Sequence, residues 1–415
     1  MKILFYADTV FGYGGVQRVL SVVAKSLAAE NGKSVGLSNK VDILTIDNDS
    51  HVDIYGYKHT PITFKYISYH TPHDLQYYCC KAASMAYKKW LPHNSLTSCL
   101  YARSFFMPRY KRMLIDTINS GGYDVVIGVH AFLSLHLASI RKHLKAKAVI
   151  GWMHNSYYAL FEKERPYLPG LRQFFADMMM RLDDVVVLTQ SDADNFKSHL
   201  GISAKVIHNP LTLVPHGKGN AGNKKFLAIG RFSPLHKGFD ILLNAFALFA
   251  RNNSQWTLEI VGEGEEEGML RDIISRNNLG ERVQISPFTP HIQNHYASAS
   301  IFVLSSRWEG QPLVLVEAMS HALPVISSDI PVSCEFLEGS GAGILFKSED
   351  PESLSDAMIR MASDEQTLKA MSETALQYAK HFNPNNISKQ WMELLSAHSL
   401  AISPCPISVA VRHHV

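Results

Sequence analysis

Two glutamates, Glu309 and Glu317, enclose the run Gly310-Gln311-Pro312-Leu313-Val314-Leu315-Val316 in the second half of this 415-residue chain. Glu309 follows the apolar stretch Ile301–Leu304, so it falls on a loop at the carboxyl end of an expected strand. Gly310 permits close backbone approach to a ligand. Pro312 suits the first turn of a helix, whose free N–H groups and positive dipole end hold phosphate. Glu317 then lies inside that helix among Leu315, Val316 and Ala318, a packed wall where a carboxylate needs partners; ligand hydroxyls would serve. The plain alternative is two glutamates on a helix surface, which the glycine and proline between them argue against.

Gly230-Arg231 and Lys237-Gly238 flank a short loop directly after another expected strand. An arginine chelates oxygens and a lysine acts as a mobile point charge, so the pair would neutralise a diphosphate and its departing charge. Exposed loop charges are the bland reading. Gly12, Gly14 and Gly15 precede Gln17 and Arg18 between the first strand and the first helix, where backbone N–H groups would meet phosphate. His154 ends a strand facing a cleft and would contact a ligand or relay a proton, against a merely structural loop histidine; His130 is a second candidate. Asn209, before Pro210, reads as a turn cap. Asp47/Asp49 and Asp192/Asp194 match a metal-gripping Asp-x-Asp only formally, and the latter reads as a helix N-cap. Gly262-Glu263-Gly264 opens an acidic run that would repel a pyrophosphate, which disfavours a dinucleotide oxidoreductase.

The elements that position these residues alternate short apolar strands with helical patterns through both halves, as in parallel sheets covered on both faces. The first half reads strand Lys2–Ala7, helix Val16–Ala29, then strands Val41–Ile46, Tyr123–Val129, Ala148–Met153 and Asp184–Thr189. Residues 52–120 are aromatic-rich and poorly periodic. The polar, glycine- and proline-rich segment Leu211–Lys225 reads as a linker. Strand Lys225–Ile229 opens the second half. Strands Trp256–Val261, Val283–Ile285, Ile301–Leu304 and Pro324–Ser327 alternate with helices Asp240–Arg251, Gly268–Asn277, His291–Ala297 and Pro312–His321 and with helices near 351–362 and 365–381. Pro384–Ala397 has helical spacing with Ile387, Trp391, Leu394 and Leu395 on one side. Two such domains leave a cleft where ligands bind at strand carboxyl ends.

The length calls for two domains. Hydrophobic content of 46 % and charge of 19 % exclude a disordered or fibrous chain. No apolar run reaches the roughly 18–20 residues that span a bilayer. Asp8 interrupts the first apolar residues too early for a signal peptide, and the five cysteines lack metal-ligand spacing, so a reduced cytoplasmic protein is expected. Net charge of +3 divides unevenly: residues 1–210 hold 24 Lys+Arg against 16 Asp+Glu, residues 211–415 hold 16 against 21. The basic residues Lys88, Lys89, Arg103–Arg112 and Lys142–Lys147 stand among aromatic and apolar ones. Solvated helix faces compete here with peripheral attachment to an anionic membrane leaflet. No motif supports nucleic acid.

The run Glu309 to Glu317, continuing through Ala318-Met319-Ser320-His321-Ala322-Leu323-Pro324, resembles the Glu-x7-Glu motif of glycosyltransferase family 4, whose members are retaining enzymes with the GT-B fold. Gly230-Arg231…Lys237-Gly238 is similar to that family's Gly-Arg…Lys-Gly loop, and Gly14-Gly15-Val16-Gln17-Arg18 to its Gly-Gly-x-Glu-Arg opening, with Gln17 in place of the usual Glu. Ala322 likewise replaces a usual Gly.

The resemblance implies an α/β GT-B fold, two Rossmann-like doubly wound domains facing an interdomain cleft. Residues 1–208 would bind the acceptor and 209–383 the nucleotide sugar, with a terminal helix at 384–398 crossing back and a tail at 399–415. It implies transfer of a hexose or N-acetylhexosamine from a nucleotide-diphosphate sugar, UDP in the first instance, to a saccharide or lipid-linked saccharide, in lipopolysaccharide, capsule or exopolysaccharide synthesis on the cytoplasmic face of the inner membrane. Glu309, His154, Arg231 and Lys237 would be catalytic. Arg231, Lys237, Gly230, Glu309, Gly310, Gln311, Pro312, Leu313, Glu317, Gly14 and Gly15 would bind the donor, Glu317 through its ribose. No metal or other cofactor is expected. A nucleotide-sugar epimerase and a catalytically silent nucleotide-sugar binding protein are the alternatives.

Overall fold

A computed structural model describes residues 1–29, 39–47, 52–69, 73–233 and 235–400. Two all-parallel sheets carry the chain. The first has seven strands, β1 (Lys2–Ala7), β2 (Lys40–Thr45), β3 (Thr63–Tyr66), β4 (Val125–Val129), β5 (Ala148–Trp152), β6 (Asp184–Val187) and β7 (Lys205–Val206), ordered 3-2-1-4-5-6-7. The second has six, β8 (Lys225–Ile229), β9 (Thr257–Val261), β10 (Val283–Ser286), β11 (Ile301–Leu304), β12 (Val325–Ser328) and β13 (Gly343–Phe346), ordered 10-9-8-11-12-13. Central strands such as β4 and β5 are buried along their whole length, which is why they read as unbroken apolar runs.

In both sheets the strand order reverses beside the first strand, between β1 and β4 and between β8 and β11. These reversals open a crevice at the carboxyl ends, where successive helices depart to opposite faces. The expected doubly wound α/β architecture is present in both halves.

Between the sheets the chain passes through residues 207–224, tied to the second domain where Leu211 N–H donates to Phe382 O at 2.7 Å. The last helix, Pro384–Leu400, returns to the first domain. Ile387, Trp391 and Leu395 are fully buried in the first domain's core, and Trp391 meets Trp152 edge-on at 4.9 Å. At its end His398 pairs with Asp184 at 2.5 Å.

The aromatic-rich region 52–120, unassigned from periodicity, contains β3 and helices Leu75–Lys89, Ser95–Phe105 and Pro108–Gly121. The helix after β6 begins at Gln190 with Thr189 as its cap, accepting from Asp192 N–H at 3.1 Å, so Asp192 lies inside the helix and is not its cap. Among the described residues no helix is long and apolar enough to cross a membrane. The tail beyond Leu400, and Asp49 of the Asp-x-Asp match, lie outside the described residues.

Candidate active site

β11 leads into Ser305, Ser306 and the loop to Glu309, while β8 leads into Gly230 and the loop to Lys237. Their adjacency in the sheet brings these loops together. Glu309 Oε1 accepts from Lys237 Nζ at 2.6 Å and from Ser306 Oγ at 2.7 Å, and Oε2 lies 3.8 Å from His236 Nε2. Burial, the largest influence, pushes the Glu309 carboxyl up, yet Lys237, His236 and Ser306 together hold it below its usual range. Gly230 makes the geometry possible: the Lys237 methylenes lie 3.1–3.3 Å from where its Cβ would stand. His236 stacks flat on Trp308 at 4.8 Å and donates from Nε2 to Trp308 O at 2.9 Å. Arg231 is exposed, and its guanidinium makes no hydrogen bond or ion pair among the described residues, which leaves it available for an anion.

At Gly310 the two domains come into close backbone contact. A Cβ there would come within 2.5 Å of His154 O, so glycine alone fits. Gln311 fastens the crossover by accepting from Asn209 N–H at 2.6 Å and donating to Asn209 O at 3.2 Å. Its side chain is therefore committed to the hinge, so any contact of Gln311 with the expected ligand would fall to its backbone. Helix Leu313–Ser320 begins at Pro312 with no side-chain cap, which leaves its leading N–H groups unsatisfied by a side chain. Leu313 Cδ1 stands 3.5 Å from where a Cβ on Gly15 would be, so the Gly14–Gly15 turn of the first domain faces this same helix end.

Glu317 is 1 % exposed and engaged by protein on both oxygens: Arg18 at 2.5 Å and Thr212 Oγ1 at 3.0 Å on Oε1, Tyr296 OH at 2.9 Å on Oε2. Burial first, then the Glu317 charge, drives the Tyr296 phenol far above its ordinary range. Arg18 comes from the first domain, so this pair joins the two halves of the cleft. An ionised carboxylate offers about four acceptor positions, and these contacts leave about one. The expected ribose contact at Glu317 would have to use that remaining position or displace one of these partners.

Opposite stand three residues of the first sheet, at the ends of β1, β4 and β5. His130 Nε2 pairs with Asp8 at 3.0 Å, and its backbone takes φ 67°, a left-handed conformation rare for a side chain of this size. Burial pushes the Asp8 carboxyl up, but the His130 hydrogen bond and charge, with the Thr9 N–H, hold it below its usual range. His154 is pushed down to about 3, first by burial and then by His130, and its Nε2 is buried without a partner. An uncharged imidazole is the result, with one nitrogen unused. In the sequence Asp8 only interrupts the first apolar run; the Asp8–His130 contact spans 122 residues and leaves no local trace.

Asp47 accepts from Val10 and Phe11 N–H at 2.6 and 3.3 Å, holding the glycine-rich turn. Glu335 accepts from Gln190 and Ser191 N–H at 2.9 and 3.1 Å, bracing the second domain against a helix start of the first. Among the described residues no cluster of His, Cys, Asp and Glu is arranged around a common metal position.

Two family models divide this chain between them. One, for glycosyltransferase family 4, matches residues 13–213, and the other, for glycosyl transferases group 1, matches residues 216–378. The chain belongs to glycosyltransferase family 4.

A glycosyltransferase of Haemophilus influenzae is 28 % identical over 308 residues, 73 % of this chain and 84 % of that protein. An amylovoran biosynthesis glycosyltransferase of Erwinia amylovora is 29 % identical over 225 residues, 52 % of this chain and 62 % of the relative. In architecture this family 4 protein superposes on Anabaena HepE in complex with UDP and glucose with a TM-score of 0.71 at 18 % identity, covering 96 % of this chain and all of that one. Sucrose-phosphate synthase from Thermosynechococcus elongatus gives 0.73 at 17 % identity, covering 97 % and 100 %. The GT-B fold expected from the glutamate motif is thus present, and the chain is a glycosyltransferase.

Proposed function

We propose that this protein transfers a sugar from a nucleoside-diphosphate donor, UDP-linked in the first instance, to a saccharide or lipid-carried saccharide with retention of anomeric configuration, in surface-polysaccharide assembly. The observation that carries the reading is the buried Lys237–Glu309 pair beside the unpaired Arg231, facing His154 across Gly310. An ammonium has three N–H donors, and Glu309 takes one. Two remain for phosphate oxygens, and Arg231 supplies a planar fork beside them. Cations placed at the leaving diphosphate, Lys237 held by Glu309 and Arg231 free at the surface, would stabilise the charge that develops there, so we assign that task to them in place of a metal. The leading N–H groups of helix Leu313–Ser320, together with the Gly14–Gly15 turn, complete the diphosphate pocket.

Glu309 keeps Lys237 in place and offers its remaining lone pairs to a sugar hydroxyl. His154, uncharged, stands on the other side, and its unpartnered, buried Nε2 would reach the sugar once the cleft opens around a bound donor. The structure offers no unengaged carboxylate near Gly310 as a committed nucleophile among the described residues. This supports front-face departure, in which the acceptor hydroxyl passes its proton to the leaving phosphate. The relatives in polysaccharide synthesis and the UDP-bound structural neighbour support the donor and acceptor classes.

A thermal-shift panel of UDP-, GDP-, ADP- and dTDP-sugars, followed by NMR of the product anomer, tests the reading. Stabilisation by one donor class, acceptor-dependent turnover insensitive to EDTA, and a product with the donor's anomeric configuration are expected. An inverted product, or conversion of donor without acceptor, overturns it.

A further inference from the structure

Between β3 and β4 the first domain carries a helical hairpin, Leu75–Lys89 and Ser95–Phe105, that takes no part in the cleft chemistry. Hydrogen bonds from Tyr87 to Ser98 (3.0 Å) and from Ser84 to Tyr101 (2.9 Å) fix the two helices antiparallel. Tyr87 stacks on Tyr101 at 4.4 Å, and both lie over Phe174 of the helix Arg172–Met179 beneath. The inward face is thus made of tyrosines and serines. The large aliphatic side chains point the other way.

Leu75, Trp90 and Leu96 are 80 %, 74 % and 72 % exposed, and Tyr78, Met85, Leu91 and Leu100 share the exposed side. The spacing 75, 78, 82, 85 places one set on a single helix face, and 96, 100, 103 places the other. A soluble helix puts such residues inward; a pair that turns them outward presents a surface for a nonaqueous partner. Charge selects which partner. From Leu75 to Ile115 the chain has seven basic residues (Lys81, Lys88, Lys89, Arg103, Arg109, Lys111, Arg112) and no acidic one. Of these, Lys81, Lys88, Lys89 and Arg103 are exposed beside the aliphatic residues. Lysines edging an apolar strip, with a tryptophan and a tyrosine among them, match the boundary between acyl chains and anionic headgroups.

We propose that the hairpin Leu75–Phe105 docks on an anionic lipid bilayer through Leu75, Tyr78, Met85, Trp90, Leu96 and Leu100. The hairpin also reaches the cleft side of its domain: Phe105 meets Phe132 edge-on at 5.7 Å, and Phe132 stands two residues beyond His130. A docked hairpin therefore holds the carboxyl end of β4 near the lipid surface, where a lipid-carried acceptor would arrive. The bilayer contact is independent of the transfer reading; only this delivery of acceptor rests on it.

Flotation of the full chain with vesicles of phosphatidylcholine, with and without phosphatidylglycerol, tests the contact. Each lysine at an anionic surface contributes about fivefold to partitioning, so the triple variant K81E/K88E/K89E loses at least about a hundredfold. The variant L96S/L100S loses binding too, because its aliphatic contact is gone. Both keep the wild-type melting temperature and wild-type UDP-sugar binding, since none of these residues lies in the cleft.

Trp90 gives a direct readout. Its emission should be quenched by brominated phosphatidylglycerol, and Trp90→Phe should remove that quenching, because Trp152, Trp256 and Trp391 are buried and Trp308 is half-buried against His236 in the second domain, away from the hairpin. Equal flotation on neutral and anionic vesicles, unchanged binding by both variants, or a wild-type dimer that Trp90→Ser dissolves would each overturn the proposal. Loss of donor binding with intact flotation would instead strike the transfer reading alone.

Discussion

The two sides of the cleft are built on different plans. On the second domain, the charged residues come from two short segments, the loop 230–238 and the loop and helix start 305–317, whose parent strands β8 and β11 are neighbours. On the first, Asp8, His130 and His154 come from the ends of three strands and meet only after the sheet has formed. The second side is dense in charge and already paired, Lys237 with Glu309; the first is sparse, with one histidine nitrogen left over. Compact loops suit a ligand with fixed charges, such as a diphosphate. Dispersed strand ends suit a partner that varies, since each contributes one replaceable contact.

That contrast predicts unequal damage. Lys237→Ala should have the largest effect, lowering kcat by about 10²–10³-fold through loss of charge stabilisation, with a smaller change in donor affinity; wild-type turnover would remove the second domain's claim to the chemistry. His154→Ala should cost about ten- to a hundredfold in kcat/KM. Because burial keeps His154 uncharged, the wild-type pH profile from 5.5 to 8 should show no inflection belonging to it; an inflection that disappears in His154→Ala would contradict this.

Arg18→Ala tests the seam between the sides. It leaves Glu317 buried with one charged partner fewer and should destabilise the fold by about 2 kcal/mol, read by urea unfolding. Unchanged stability would mean that the domains do not depend on that pair.

The smallest effect is on the pH dependence of stability. Glu309 has its folded-state pKa depressed, so its contribution is present above the unfolded carboxyl value, about 4.3, and fades as pH falls through the lower folded value. Melting temperatures of wild type and Glu309→Gln should therefore converge on acidification below about pH 4. A gap constant down to pH 3 would show that the pair contributes no charge-dependent stability.

The same contrast decides how much was legible. Strands β1, β8 and β11 match the sequence expectation at both ends, because apolar runs buried on both faces carry their own boundaries. Glu309, Lys237 and Arg231 stand within short motifs at those strand ends, so they could be found by reading along the chain. The Arg18–Glu317 pair spans 299 residues, and Asp8–His130 spans 122; pairings of that range have no local signature. Helices Leu75–Lys89 and Ser95–Phe105 escaped for another reason. Their aliphatic residues face outward while tyrosines and serines face inward, so no apolar stripe marks a buried side. Glu317 looked like a carboxylate waiting for a ligand, whereas Arg18, Thr212 and Tyr296 already hold it.

The return of helix Pro384–Leu400 to the first domain has a consequence for how the protein is made. Ile387, Trp391 and Leu395 fill the first domain's core. On the ribosome, then, the domain synthesised first cannot finish folding first. Its core stays open until nearly 400 residues have emerged, while the second domain, whose sheet is contained between Lys225 and Phe346, can close earlier. The usual order of domain-by-domain folding is reversed, and a chain cut before residue 387 would strand an unfilled first domain beside a complete second one.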